Sequence, residues 1–188
     1  MSATTRSLAR SVLALVAAAT LACGTAFAMG STAPPPLPEP VTALAPEARP
    51  QGGGELKFFG LAIYDGFYWS AARNFSVAQP FALDLHYHRT LKGTGIAERS
   101  IDEIRKLGVG SPDEHTRWLG AMQRLFPDVR KGDRLTGVNV PGRGAKFFHN
   151  GAAIGEIADP GFARAFFGIW LDPKTSQPAF RKLLLGER

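Results

Sequence analysis

Cysteine is nearly absent: among 188 residues only Cys23 carries a thiol. It lies within residues 1–28, which read as an export signal, so cleavage after Ala28 leaves no place for disulfides or thiol chemistry. Long apolar runs are scarce too. Val12 to Ala22 is one, too short to span a bilayer, preceded by Arg6 and Arg10 and followed by the small-x-small cleavage site Ala26-Phe27-Ala28. No second run follows, so no transmembrane segment is expected in the mature chain and the protein should be periplasmic or secreted. Thr20-Leu21-Ala22-Cys23 loosely resembles a lipoprotein signal, but Thr20 stands where an aliphatic residue is usual. Lipidation through Cys23 is therefore the less favoured alternative.

Other absences narrow the chemistry. No glycine loop of the phosphate-cradling kind occurs, because Pro141-Gly142-Arg143-Gly144 falls between strands where a turn explains it. No Gly-x-Ser-x-Gly elbow appears, so a covalent nucleophile has no support. The net charge of +6 falls to +4 once the leader takes away Arg6 and Arg10. Its basic residues are scattered rather than clustered, which argues against a nucleic-acid partner. The mature chain is long enough to fold unaided as one domain, and a monomer is expected.

What the chain has is aromatic. Ala145 to Pro173 reads as strand, turn, strand and helix: Asn150-Gly151 suits a hairpin turn with both central residues at positive φ, and Asp159-Pro160 starts a helix as N-cap and first residue. Phe162, Ala163, Phe166, Phe167 and Trp170 then form an apolar stripe that must face a sheet. Upstream, residues 29–54 are rich in Pro, Ala and Gly and read as a flexible linker, followed by a domain over 55–188. Glu55 to Ala71 is strand-like, with a turn or bulge expected at Asp65-Gly66. Residues 81–91 alternate strictly, placing Phe81, Leu83, Leu85, Tyr87 and Arg89 on one face and Asp84, His86 and His88 on the other. Ser100 with Glu103 predicts a capped helix over 101–107, and Ser111-Pro112 with Glu114 predicts a second. A strand over about 134–140 and a last helix from Ser176 through Leu185 complete the order β-β-α-α-β-β-β-α-α. That is an α+β domain with an antiparallel sheet and a helical layer on one face.

Candidate site residues follow from this pattern. By period two Arg89 falls on the apolar face, so it either reaches water at the strand end or pairs with an acid or an anionic or carbonyl head group. Asp84, His86 and His88 have a spacing that suits a metal, but no fourth ligand is recognisable and an exposed polar face explains them, so no metal is assigned. His115 and His149 read as surface residues. The aromatic set, including Phe58, Phe59, Tyr64 and Trp170, is mostly core, with part of it able to line a cavity whose polar end carries the hydroxyls of Tyr64 and Tyr87.

Four phrases, LKFFGLAIYDGFYW (56–69), LDLHYHRTLKG (83–93), FPDVRKGDRLTG (126–137) and FFHNGAAIGEIADPGFARAFFGIWLDPKT (147–175), resemble bacterial exported chalcone isomerase-like proteins in the same order over roughly residues 54–186. The resemblance implies an open-faced β-sandwich with a cleft between sheet and helices, and two kinds of relative: cofactor-independent chalcone–flavanone isomerases and non-catalytic fatty-acid-binding proteins. Matching Ile63-Tyr64 to the enzymes' apolar-Tyr pair puts Phe59 where they carry a threonine, and the helix from Ser111 puts His115 and Met122 near their tyrosine and asparagine. Arg89 matches an arginine of the strand phrase, and Lys57 matches a basic position. An apolar side chain at 59 cannot hold a ketone or an ordered water. The resemblance therefore implies binding of a small hydrophobic or carboxylate-bearing ligand such as a fatty acid, by Arg89, Tyr87, Tyr64, Lys57 and Phe59. An intramolecular lyase acting on a polyphenolic ketone is the alternative.

Overall fold

The computed structural model describes residues 34–72 and 74–187. The expected leader, with Cys23, and residues 29–33 of the expected linker lie outside them. A short helix α1 (Glu39–Thr42) precedes three strands, β1 (Arg49–Phe58), β2 (Leu61–Ser70) and β3 (Phe81–Tyr87). Helices α2 (Gly93–Leu107) and α3 (Pro112–Leu125) follow, then β4 (Arg134–Val140), β5 (Gly144–His149) and β6 (Ala152–Ile157), and finally α4 (Pro160–Leu171) and α5 (Pro178–Leu185). The six strands form one antiparallel sheet in chain order, each paired with the next. Helices α2 to α5 cover one side, giving the expected α+β open-faced sandwich.

The local signals that predict α3, α4 and the β5–β6 turn act as the sequence suggests. Ser111 and Glu114 make reciprocal cap bonds at α3, and Asp159 accepts from the Phe162 amide to start α4. Asp159 also accepts from the Trp118 indole at 2.8 Å, tying α3 to α4. Asn150 and Gly151 take φ of 50° and 84°.

Three expectations need correction. The chain reverses at Phe59-Gly60 rather than at Asp65-Gly66, so the aromatic stretch and the glycines before it make two strands, not one divided strand. Gly66 stays inside β2 because an added Cβ there would stand 2.8 Å from the Phe180 ring of α5. The residues read as linker are, from 34 onward, part of the fold. Gly52 and Gly54 lie in β1 directly under α5, where a Cβ would come 2.1 Å from the Leu183 carbonyl oxygen and 2.6 Å from the Leu183 side chain respectively; these glycines permit close packing rather than slack. Ahead of them Leu37, Val41, Leu44 and Ala48 cover the outer side of the sheet over Phe67, Trp69, Ala82, Val138 and Phe148.

The third correction concerns Ser100, which caps nothing. It sits in the middle of α2 and its hydroxyl donates to the Ile96 carbonyl at 2.8 Å. Helix α2 starts seven residues earlier because Asp128, distant in sequence, accepts from the Gly93 amide at 3.0 Å and from Lys92 at 2.7 Å. Gly93 itself is pressed against the Phe126 carbonyl, where a Cβ would have only 2.1 Å.

Candidate ligand-binding cavity

The helical layer does not seal evenly onto the sheet. Helix α5 rests on the glycines of β1, α4 lies over β5, and α2 packs against α3 and α4. Beneath α2 this leaves a cavity of about 360 Å³, within the size range of small-molecule sites. Its floor is Leu56 and Lys57 of β1, Ile63 and Tyr64 of β2, Leu85 and Tyr87 of β3, and Leu135 of β4. The roof is Ile96, Arg99, Ser100 and Glu103 of α2 with Phe166, Ile169 and Trp170 of α4, closed by Ser176 and Gln177 before α5. Aliphatic and aromatic side chains dominate this wall.

The polar groups gather around one ion pair. Arg99 pairs with Glu103 one turn on, and Glu103 also accepts from Lys106 at 2.9 Å and from the Ser176 hydroxyl. Burial alone would raise the Glu103 carboxyl, but the bonds from Ser176 and Lys106 and the charge of Arg99 hold it below the ordinary carboxylate value. Two cations thus meet one carboxylate, leaving a local excess of one positive charge beside an apolar space. Arg99 also lies over the Phe58 ring at 5.2 Å, a cation–π contact that fixes its direction.

Tyr64 and Tyr87 meet edge to face with ring centroids 5.6 Å apart. The Trp170 indole donates to the Tyr64 hydroxyl at 2.8 Å, so the phenol still has its own proton to give. Burial pushes Tyr64 well above its ordinary value of 10, against weaker pulls from the Trp170 bond and the Arg99 charge. Tyr87 is pushed up likewise by burial, with Tyr64 adding to it. Both remain protonated donors at any physiological pH.

Of the five residues expected at the site, Tyr64, Tyr87 and Lys57 line the cavity. Lys57 sits at its edge, ion-paired with Glu55 at 2.8 Å and more than half exposed; the bond and charge of Glu55 raise its pKa. Arg89 and Phe59 are elsewhere. The alternation that placed Arg89 on the apolar face stops where β3 stops, at Tyr87, and Arg89 stands exposed beyond it. That relieves the cost of a guanidinium against the core. Phe59 is 90% exposed on the β1–β2 turn.

The other candidates also resolve. Asp84 and His86 do not form an exposed face: Asp84 is fully buried and holds Arg134, Thr136 and His86, each at 2.7 Å. His88 lies near Asp65 and Glu55, whose donor atoms fall within 4.8 Å of one another, but Glu55 is already held by Lys57 and Asp65 by His88, and ordinary ion pairing accounts for the group. His115 bonds the Val109 carbonyl at 2.8 Å and His149 lies 3.4 Å from Asp133. Met122 is fully buried in the core. None of these three lines the cavity.

Arg99 and Glu103 were missed as cavity residues because Ser100 with Glu103 reads as a capping box, which puts Arg99 ahead of the helix and spends Glu103 on its cap. The available signal was the spacing Ile96, Arg99, Ser100, Glu103, which forms one stripe only if the helix begins before Ile96.

Comparison with known proteins agrees with this fold. An uncharacterized protein of Haemophilus influenzae is 29% identical over 140 residues, covering 74% of this chain and 68% of that one. The crystal structure of a fatty-acid binding protein from Arabidopsis thaliana superposes with a TM-score of 0.59 at 11% identity, covering 74% of this chain and 87% of the other, and so shares its fold. The model of the chalcone isomerase-like family matches residues 72–186, more than half of the sequence, and the chain belongs to that family.

Proposed function

We propose that this is an exported protein that binds, without transforming it, a small amphiphile with one anionic or carbonyl end, a fatty acid being the class that fits best. The observation that carries the reading is the apolar cavity of about 360 Å³ with an Arg99–Glu103 pair at its edge. One additional negative charge would balance the excess left by Arg99 and Lys106, and guanidinium nitrogens not used by Glu103 can take a carboxylate. Tyr64 and Tyr87 would donate to the same head group, while Leu85, Leu135, Phe166 and Ile169 would hold an alkyl chain. The fatty-acid binding protein among its structural neighbours supports the same class.

Burial moves Tyr64 and Tyr87 up, so both stay protonated and can donate to a head group, while Glu103 is held down and stays ionised beside Arg99. Export rests on the leader over residues 1–28, with cleavage after Ala28 delivering the domain to the periplasm or the medium.

Native mass spectrometry after mild purification tests the reading. A population heavier by the mass of one lipid, or one that appears on adding palmitate, is the expected result. Ligand-free protein under both conditions would contradict it, and conversion of a polyphenolic ketone above its spontaneous rate would favour a lyase instead.

A further inference from the structure

Two hairpins in this chain turn on two residues that both have positive φ. One is Asn150-Gly151; the other is Phe59-Gly60, with φ of 47° and 76°. Asparagine and glycine tolerate that backbone, but a phenylalanine is disfavoured there. The fold gives little in return. The Phe59 ring is 90% exposed and meets the Phe58 ring at 4.5 Å. Leu61 is 53% exposed and Phe58 45%. The turn thus holds three large apolar side chains in water at the end of β1, an edge strand.

Its surroundings indicate what would cover it. A protein interface stable by itself needs about 800 Å² from each partner, and three side chains on a two-residue turn fall well short. A narrow apolar tip flanked by cations is instead the shape that enters the headgroup region of a bilayer, where aromatic rings settle and basic residues meet anionic lipid. Lys57 immediately precedes the tip, and Lys92 and Arg99 line the same cavity that Phe58 lines. Arg89 follows His88, whose amide bonds Ile63 near the start of β2, which brings this exposed cation to the same end of the sheet. Glu55 and Asp128 offset Lys57 and Lys92, so the apolar tip rather than charge would supply most of the attraction. Phe58 belongs to both the tip and the cavity wall, making the docking surface continuous with the cavity.

We propose that the β1–β2 hairpin tip, Phe58-Phe59-Gly60-Leu61, inserts into the surface of an anionic lipid bilayer and sets the cavity against it. This rests on the hairpin and not on the ligand reading: a cavity that binds nothing would leave vesicle binding intact.

The test uses protein purified from the soluble fraction, sedimented with vesicles of phosphatidylethanolamine and phosphatidylglycerol or of phosphatidylcholine alone. Wild type sediments with the first more than with the second. Phe59→Asn combined with Leu61→Ser lowers the partition by about tenfold or more, while its melting temperature holds or rises because asparagine suits the backbone at 59. Phe59→Trp keeps binding, and the emission of the added indole moves to the blue on vesicles. Wild type that ignores both vesicles, a double variant that binds equally well, or an added indole whose emission does not move would each overturn the proposal. So would self-association without vesicles that the double variant abolishes, since a second copy would then be the occupant.

Discussion

On one side of the sheet Asp84 sits fully buried, gripped by Arg134, Thr136 and His86 under the segment that leads into β1, and Arg134 reaches on to the Pro36 carbonyl at 3.0 Å. On the other side, strand positions a residue away in alternation, Leu85 and Tyr87, face a cavity whose charged pair is partly open to solvent. The same strand β3 supplies both. Charge on the outer side is saturated by neighbours and packed beneath chain, so it holds structure together. Charge on the helical side is one cation in excess and borders an apolar cavity, which is where the proposed head group would sit. Partner count and adjoining volume, rather than the presence of a charge, separate the two.

Removing Asp84 should have the largest effect. Asp84→Ala leaves the partly buried Arg134 without its carboxylate and should cost about 3–5 kcal/mol in urea unfolding, with ligand binding by the remaining folded protein little changed. A ligand defect exceeding the stability defect would erase the distinction between the sides. The acid limb sharpens it. Burial alone would raise the Asp84 carboxyl, but bonds from His86 and Arg134 and their charges hold it below its ordinary 3.8. Its contribution is therefore complete above that ordinary value and lost as pH falls through the lower folded one. Urea midpoints of wild type should drop there more steeply than those of Asp84→Asn; parallel profiles would contradict the assignment.

Changes on the cavity side should cost less in stability. Trp170→Phe removes the donor to Tyr64 and should cost about 1 kcal/mol, with a measurable loss of fatty-acid affinity because the phenol loses its alignment. Ile96→Trp pushes an indole into the space and should alter stability by less than about 1 kcal/mol, or raise it, while abolishing ligand capacity in a fluorescent fatty-acid titration. A variant that still binds would show that the ligand uses another place.

The same contrast explains what the sequence discloses. Period two in residues 81–87, the Asn150-Gly151 turn, the Ser111 capping box and the aromatic stripe of α4 are local signals, and each produces its element. The class of fold and the inward direction of Tyr87 follow from them; Tyr64 came only from its place in the aromatic stretch before β3. Arg99 was hidden because α2 is started by Asp128, across a long separation, and by a glycine that the Phe126 carbonyl requires. Arg89 was overvalued because alternation carries no mark of where a strand ends. The glycines of β1 read as slack until α5 is seen lying on them.

A fatty-acid titration of three proteins, wild type, Arg99→Ala and Arg89→Ala, bears most directly on the central claim that the Arg99 end of the cavity receives the head group. Arg99→Ala should weaken binding by about tenfold to a hundredfold, the worth of a hydrogen bond to a charged group, and Arg89→Ala should stay within about twofold of wild type. Equal losses in the two variants, or a loss only in Arg89→Ala, would contradict the account.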